Sequence, residues 1–181
     1  EPRLNTQQLN LFGEGEYSLT PDSASLDLTT TATWEIWGNF HGTATSTQTI
    51  IGKSSFPDNK RNYFISKSSA SVADRLRFSG SANGLSATGF TRECSTVSGI
   101  AQYAITYDGA SSALLFYVNG SLTATYSISG SIPTSFPVND VDLGIGALID
   151  GGSPVAFAPF KIGSTKIYNV ALTADEVLTN Y

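Results

Sequence analysis

Residues 101–127 contain three runs of alternating apolar and polar residues, broken at Asp108-Gly109 and Asn119-Gly120. Asn-Gly between two such runs selects a tight hairpin turn, because both turn positions need a positive φ that Asn and Gly tolerate. Three successive antiparallel strands are therefore predicted over 103–107, 113–118 and 122–126. Similar runs, punctuated by Gly, Pro-Asp and Asp-Gly, recur along the chain. Residues 16–20 alternate up to Pro21-Asp22. Residues 31–40 read as a long strand, with Trp34, Ile36 and Phe40 on one face and Glu35 and Trp37 on the other. Further strands are expected at 47–52, 62–66, 76–79, 141–146 and 162–168, with a weaker one at 84–90. One helix is expected, at the tail: Thr173 and Glu176 form a capping box, and Val177 and Tyr181 share a face. Many short strands with one terminal helix predict an all-β fold, an antiparallel two-sheet jelly-roll sandwich.

Charge narrows the partners. Ten Lys and Arg against fifteen Asp and Glu give a net charge of −5 and a pI near 4.7. Nucleic-acid binding requires a basic face to neutralise phosphates, and none is visible. No apolar run approaches the roughly 18 residues that a membrane-spanning helix requires. Nucleic acid and a membrane span are therefore set aside. Charged residues make up only 14% of the chain, and Ser and Thr fill about a quarter of it, a balance that favours strands over solvated helices. With one His and one Cys, no Cys/His zinc site can be built, and any His-based catalytic unit would have to use His41. Cys94 reads as a buried free thiol. A chain that begins Glu1-Pro2 and lacks Met points to a start that was processed or cut, by loss of a signal peptide or by a maturation protease.

The order of the pieces is distinctive. Gly15-Glu16-Tyr17-Ser18-Leu19 is followed by Pro21-Asp22-Ser23-Ala24-Ser25-Leu26-Asp27-Leu28 and by Thr33-Trp34-Glu35-Ile36-Trp37. Tyr103-Ala104-Ile105-Thr106-Tyr107-Asp108-Gly109, Leu115-Phe116-Tyr117-Val118-Asn119-Gly120 and Ile167-Tyr168-Asn169-Val170-Ala171-Leu172-Thr173-Ala174-Asp175-Glu176 come later. Together these resemble the laminin-G-like, concanavalin-A-like lectin/glucanase jelly-roll domains over roughly residues 13–181, leaving 1–12 as an N-terminal arm or edge strand. Where that family often carries an acidic pair ahead of its closing strand, this chain has Gly163 and Ser164. The resemblance implies a curved pair of sheets with loops at one rim, and lectin-like, adhesion or surface-recognition roles, often on sugars and sometimes with calcium.

Each candidate chemistry has a residue requirement. Glycoside hydrolysis needs two carboxylates flanking a cleft. The Glu-x-Asp-x-x-Glu run of laminarinase-type relatives is absent; Glu35 stands alone on its strand, and Glu14 and Glu16 flank a Gly in an early loop. Calcium needs six to eight oxygens, for which Asp140, Asp142 and Asp150 are the candidate ligands, with Asn139 just ahead of Asp140 and with Asp22 and Asp27 bracketing the early loop. The competing reading gives these residues to turns. A sugar site needs aromatic faces and planar polar groups, and the candidates are Asn39, His41, Arg61, Tyr63 and Arg77. Trp37 reads as core, matching the family's buried Trp, and Trp34 is open. Asn119-Gly120-Ser121 fits a glycosylation acceptor but reads first as the hairpin turn. The expected function is a non-catalytic recognition module that binds a glycan or other ligand at a cell, virion or other extracellular surface. The competing expectation is a structural subunit of a virion, phage tail or extracellular filament that self-assembles through its N-terminal arm.

Overall fold

The computed structural model describes residues 9–10, 16–42, 44–67, 74–111, 113–127 and 132–181. In chain order the strands are β1 (Leu9–Asn10), β2 (Ser18–Thr20), β3 (Thr31–Asn39), β4 (Gln48–Ser55), β5 (Lys60–Lys67), β6 (Arg75–Ser81), β7 (Gly89–Ser95), β8 (Ala101–Asp108), β9 (Ala113–Val118), β10 (Ser121–Ser127), β11 (Leu143–Ile145), β12 (Leu148–Asp150), β13 (Ser153–Val155) and β14 (Lys161–Tyr168), followed by helix α1 (Ala174–Asn180). Two six-stranded sheets form, in the orders β1-β14-β3-β8-β9-β10 and β2-β11-β4-β5-β6-β7, beside a β12-β13 hairpin. Every pairing is antiparallel. The chain crosses between sheets several times, so strands adjacent in space are often distant in sequence, which gives a jelly-roll sandwich. No helix among the described residues is long and apolar enough to cross a membrane.

The period-2 alternation of the strands builds the core. Trp34, Ile36 and Phe40 point inward from the β3 region and are fully buried. The Trp34 ring packs on Tyr63 and Phe78 across the sandwich, with centroids 5.0 and 4.9 Å apart. Trp34 is thus the core tryptophan. Trp37, expected inside, lies on the outer face of the first sheet and stacks on Tyr181, with centroids 5.6 Å apart and planes within 8°. The alternation decides this: Trp34 and Trp37 are three residues apart, so only one can face the core. Asn119 and Gly120 adopt φ of 51° and 72° and make the predicted two-residue turn between β9 and β10.

Helix α1 covers part of the outer face of the first sheet. Its capping box is complete: Thr173 Oγ1 accepts from the Glu176 amide, and Glu176 accepts from the Thr173 amide. Val177 is buried against Ala104, Tyr117 and Leu172. Beneath the helix, Glu35 is fully buried. Its carboxylate accepts from Tyr168 Oη at 3.1 Å and from Asn180 Nδ2 at 2.9 Å.

The weak strand at 84–90 is a turn instead: Gly84 has φ +85°, a single 3-10 turn covers Ser86–Thr88, and the strand starts at Gly89. The β12-β13 hairpin was not anticipated, because its two strands are three residues each. Gly163 lies in the register shift between Ile162 and Ser164, where β14 bulges against β3. Leu9 and Asn10 pair with β14, at the edge of the domain's own sheet. Residues 1–8, 11–15 and so the rest of the N-terminal arm lie outside the described residues.

Candidate functional site

The outer face of the second sheet is not covered by the helix, and its strands present two rows of side chains. Registration places Gly52, Phe64, Ser79 and Thr91 in one row and Ser66, Arg77 and Glu93 in the next. Leu76 and Phe78 point inward from β6, so the intervening Arg77 and Ser79 point outward. Phe64, Ser66, Arg77, Ser79 and Thr91, together with Phe56 in the β4–β5 turn and Arg61 near the start of β5, line a groove of about 340 Å³. Arg61 to Ser66, the residue paired with Arg77, is five residues, or about 16 Å along a strand. Arg61 and Arg77 therefore enter the groove lining from backbone positions at its opposite ends.

The two ends differ. Arg77 Nε lies 3.0 Å from Glu93 Oε1, close enough for charge pairing although the N–H is not aimed at that oxygen. The Arg61 guanidinium lies over the Phe56 ring at 5.0 Å, and Phe56 meets Phe64 edge-on at 5.7 Å. Arg61 Nη1 is buried and meets no acceptor among the described residues. A buried guanidinium N–H without an acceptor is costly unless water or a ligand supplies one. Between the ends, the Ser79 and Thr91 hydroxyls lie 2.9 Å apart. The groove thus offers an aromatic wall, hydroxyls and two guanidinium groups, each with a donor that meets no acceptor among the described residues.

Of the sugar-site candidates, Arg61 and Arg77 share this groove. Tyr63 does not, which corrects the sequence expectation: it is fully buried, its ring packs on Trp34, and its hydroxyl reaches the Leu26 carbonyl at 3.4 Å. Its neighbour Phe64 faces outward instead, since consecutive strand residues face opposite sides. Asn39 and His41 belong to a separate cluster at the end of β3. There Asn39 Oδ1 accepts from the His41 amide at 3.3 Å, and His41 Nδ1 lies 3.3 Å from Asp74 Oδ1. Lys67 Nζ donates to the Phe40 and Gly42 carbonyls; burial pushes this ammonium's pKa down, against the opposing pull of Asp74. Phe56, Phe64, Ser79 and Thr91 were not anticipated. The alternation over 62–66 and 76–79 carried the signal for Phe64 and Ser79. Thr91 was hidden by the misplaced strand at 84–90.

The candidate calcium ligands go to separate partners. Asp140 pairs with Lys60 at 2.7 Å, which holds the Asp140 carboxyl below its usual range. Asp142 Oδ1 accepts from the Asp22 amide at 2.9 Å, and Asp150 Oδ1 accepts from the Phe56 amide at 2.6 Å. Asp140 and Asp142 share a cleft of about 180 Å³ with Asp58 and Lys60, whereas Asp150 is not in its lining. The described residues contain no group of three acidic, His or Cys side chains arranged to hold a metal. The oxygens of Asp22, Asp27, Asn139 and Val141 converge elsewhere, on Lys53 Nζ.

For hydrolysis, the described lining of the main groove contains no carboxylate. Glu35 is on the other sheet, beneath the helix. Glu14 lies outside the described residues.

The laminin-G-type model of the concanavalin A-like lectin/glucanase superfamily matches residues 12–178. The chain belongs to this superfamily. Among solved structures, the CBM40 of Ruminococcus gnavus IT-sialidase bound to α2,3-sialyllactose is 14% identical, with a TM-score of 0.66 over 91% of this chain and 97% of that one. The binding domain of Paraclostridial Mosquitocidal Protein 1 is 12% identical, with a TM-score of 0.68 over 99% of this chain and 46% of that one. A botulinum neurotoxin type C chain, described as entering cells through interaction with two ganglioside molecules, is 11% identical, with a TM-score of 0.66 over 91% of this chain and 39% of that one. The chain thus spans less than half of each toxin chain. At these identities the likeness is one of fold. No curated protein sequence matches the chain.

Proposed function

We propose that this protein is a non-catalytic carbohydrate-recognition module, acting at an extracellular surface, that takes a glycan into the groove on the second sheet. The observation that carries this reading is Arg61, a guanidinium set on an aromatic ring, with a buried N–H that has no acceptor among the described residues. Sugar hydroxyls and carboxylates supply such acceptors, and the apolar faces of pyranose rings suit Phe56 and Phe64. The superfamily and the sialyllactose held by the R. gnavus module support the reading, and they make carboxylate-bearing glycans the first to test. The absence of a carboxylate from the described groove lining supports binding rather than hydrolysis.

The test is a glycan array with the wild-type protein and with Arg61→Ala. Reproducible binding to one sugar class is expected. Arg61→Ala should weaken it about 10- to 100-fold, the loss of a charge-assisted hydrogen bond, with an unchanged circular-dichroism spectrum. A blank array for the wild-type protein overturns the proposal and returns weight to a structural subunit.

A further inference from the structure

Lys53, on β4 one residue before the groove residue Ser54, has a side chain with no solvent exposure. Five oxygens surround its Nζ: Asp22 Oδ1 and Asn139 O at 2.7 Å, Asn139 Oδ1 at 2.9 Å, Val141 O at 3.1 Å and Asp27 Oδ1 at 3.3 Å. An ammonium has three hydrogens. The cage therefore offers more acceptors than its occupant has donors. Its composition is two carboxylates, one side-chain amide and two backbone carbonyls, the donor set that hard divalent cations take in proteins. The charges agree: two carboxylates face one positive charge, where a divalent ion would balance them.

We propose that Lys53 is a tethered substitute for a divalent cation. The cage is a latent calcium site, filled by the protein's own ammonium, and it fixes this rim of the domain without metal. The oxygens come from the loop after β2 and from the segment ahead of β11, so the central charge ties both to β4. The tie extends toward the groove. Asn139 Nδ2 donates to the Lys60 carbonyl at 2.9 Å, and Asn62 Nδ2 donates to the Pro137 carbonyl at 2.8 Å. Those contacts flank Arg61. The present N–O distances exceed calcium–oxygen distances of about 2.3–2.6 Å. A metal would thus draw the cage inward, and the volume vacated by the lysine stem would admit water to complete its shell.

The inference does not depend on the glycan reading, and stability reads it out. Thermal unfolding of the wild type, Lys53→Ala and Lys53→Ala/Asp27→Asn is measured in millimolar calcium and in EDTA. The wild-type midpoint should be the same in both. Lys53→Ala should unfold at a lower temperature in EDTA and gain about 5 °C or more in calcium, with a one-site calorimetric titration. Adding Asp27→Asn should remove that gain. A wild-type protein destabilised by EDTA, or a folded Lys53→Ala variant indifferent to calcium, overturns the proposal. So does a Lys53→Ala variant that fails to fold even in calcium, since a cage that accepts the metal would restore it.

Discussion

Tyr63, Lys53 and Cys94 show how much a side chain's meaning depends on the direction it faces. Tyr63 and Phe64 are adjacent and both aromatic, yet one packs on Trp34 in the core and the other lines the groove. Strand alternation says that they differ but not which faces inward; the opposing sheet decides that. Lys53 belongs to a residue type that is mostly exposed, yet here it is a buried counter-charge. Replacing it with Met would leave Asp22 and Asp27 uncompensated, and a loss of about 3–5 kcal/mol is expected from urea unfolding. Cys94 behaves as its solitude in the sequence suggests. It is buried, and burial pushes its thiol pKa up to about 12. Because the thiolate is the reactive form, alkylation at mildly alkaline pH should be negligible in the native protein and complete in urea, as followed by mass spectrometry.

Elements defined by local chemistry were legible, and those defined by pairing were less so. The Asn119-Gly120 hairpin and the capped helix α1 each follow from a few adjacent residues, and the structure shows both. The sequence reading displaces the strand over Gly89–Ser95 because Arg92, on the core-facing side opposite Phe78, breaks the apolar alternation, while pairing with β6 holds the strand in place. For α1, Thr173→Ala should cost about 1 kcal/mol, measured by chemical unfolding. The pH dependence has a definite sign. Hydrogen bonds from the Thr173 amide and hydroxyl hold the Glu176 carboxyl below its usual 4.5. A depressed folded-state value contributes stability above the unfolded value, which is lost as pH falls through the folded one. The gap between wild type and Thr173→Ala should therefore be fullest near neutrality and narrow as pH falls below 4.5.

At the scale of the whole molecule, the two sheets differ in their outer faces. Helix α1 seals part of the first, where Glu35 is locked by Tyr168 and Asn180. The second carries the groove. Glu35→Gln should therefore lower stability by about 1–3 kcal/mol through a weakened buried network, yet leave glycan affinity unchanged. Equal loss of both would place Glu35 in the binding machinery, against this assignment. Screening offers a second check on the groove. If Arg61 receives a carboxylate, affinity for acidic glycans should fall as salt rises, while affinity for neutral glycans stays flat, as measured by calorimetry.

The sequence by itself determined the all-β class, the antiparallel hairpins, the terminal helix and the superfamily resemblance. Each rests on periodicity, turn chemistry or motif order, which are properties of neighbours along the chain. It also supplied Arg61 and Arg77 as candidates without showing that they share a groove. The tertiary structure decided that they do, because the register of β5 against β6 sets Ser66 beside Arg77 and leaves Arg61 at the far end. It alone turned Tyr63 inward, set Trp34 in the core and Trp37 on the outer face, and gathered Asp22, Asp27, Asn139 and Val141 around one lysine. Those convergences join residues up to 119 positions apart, from Asp22 to Val141. Only the crossing of strands between two sheets, driven by burial of their inner faces, brings such residues together.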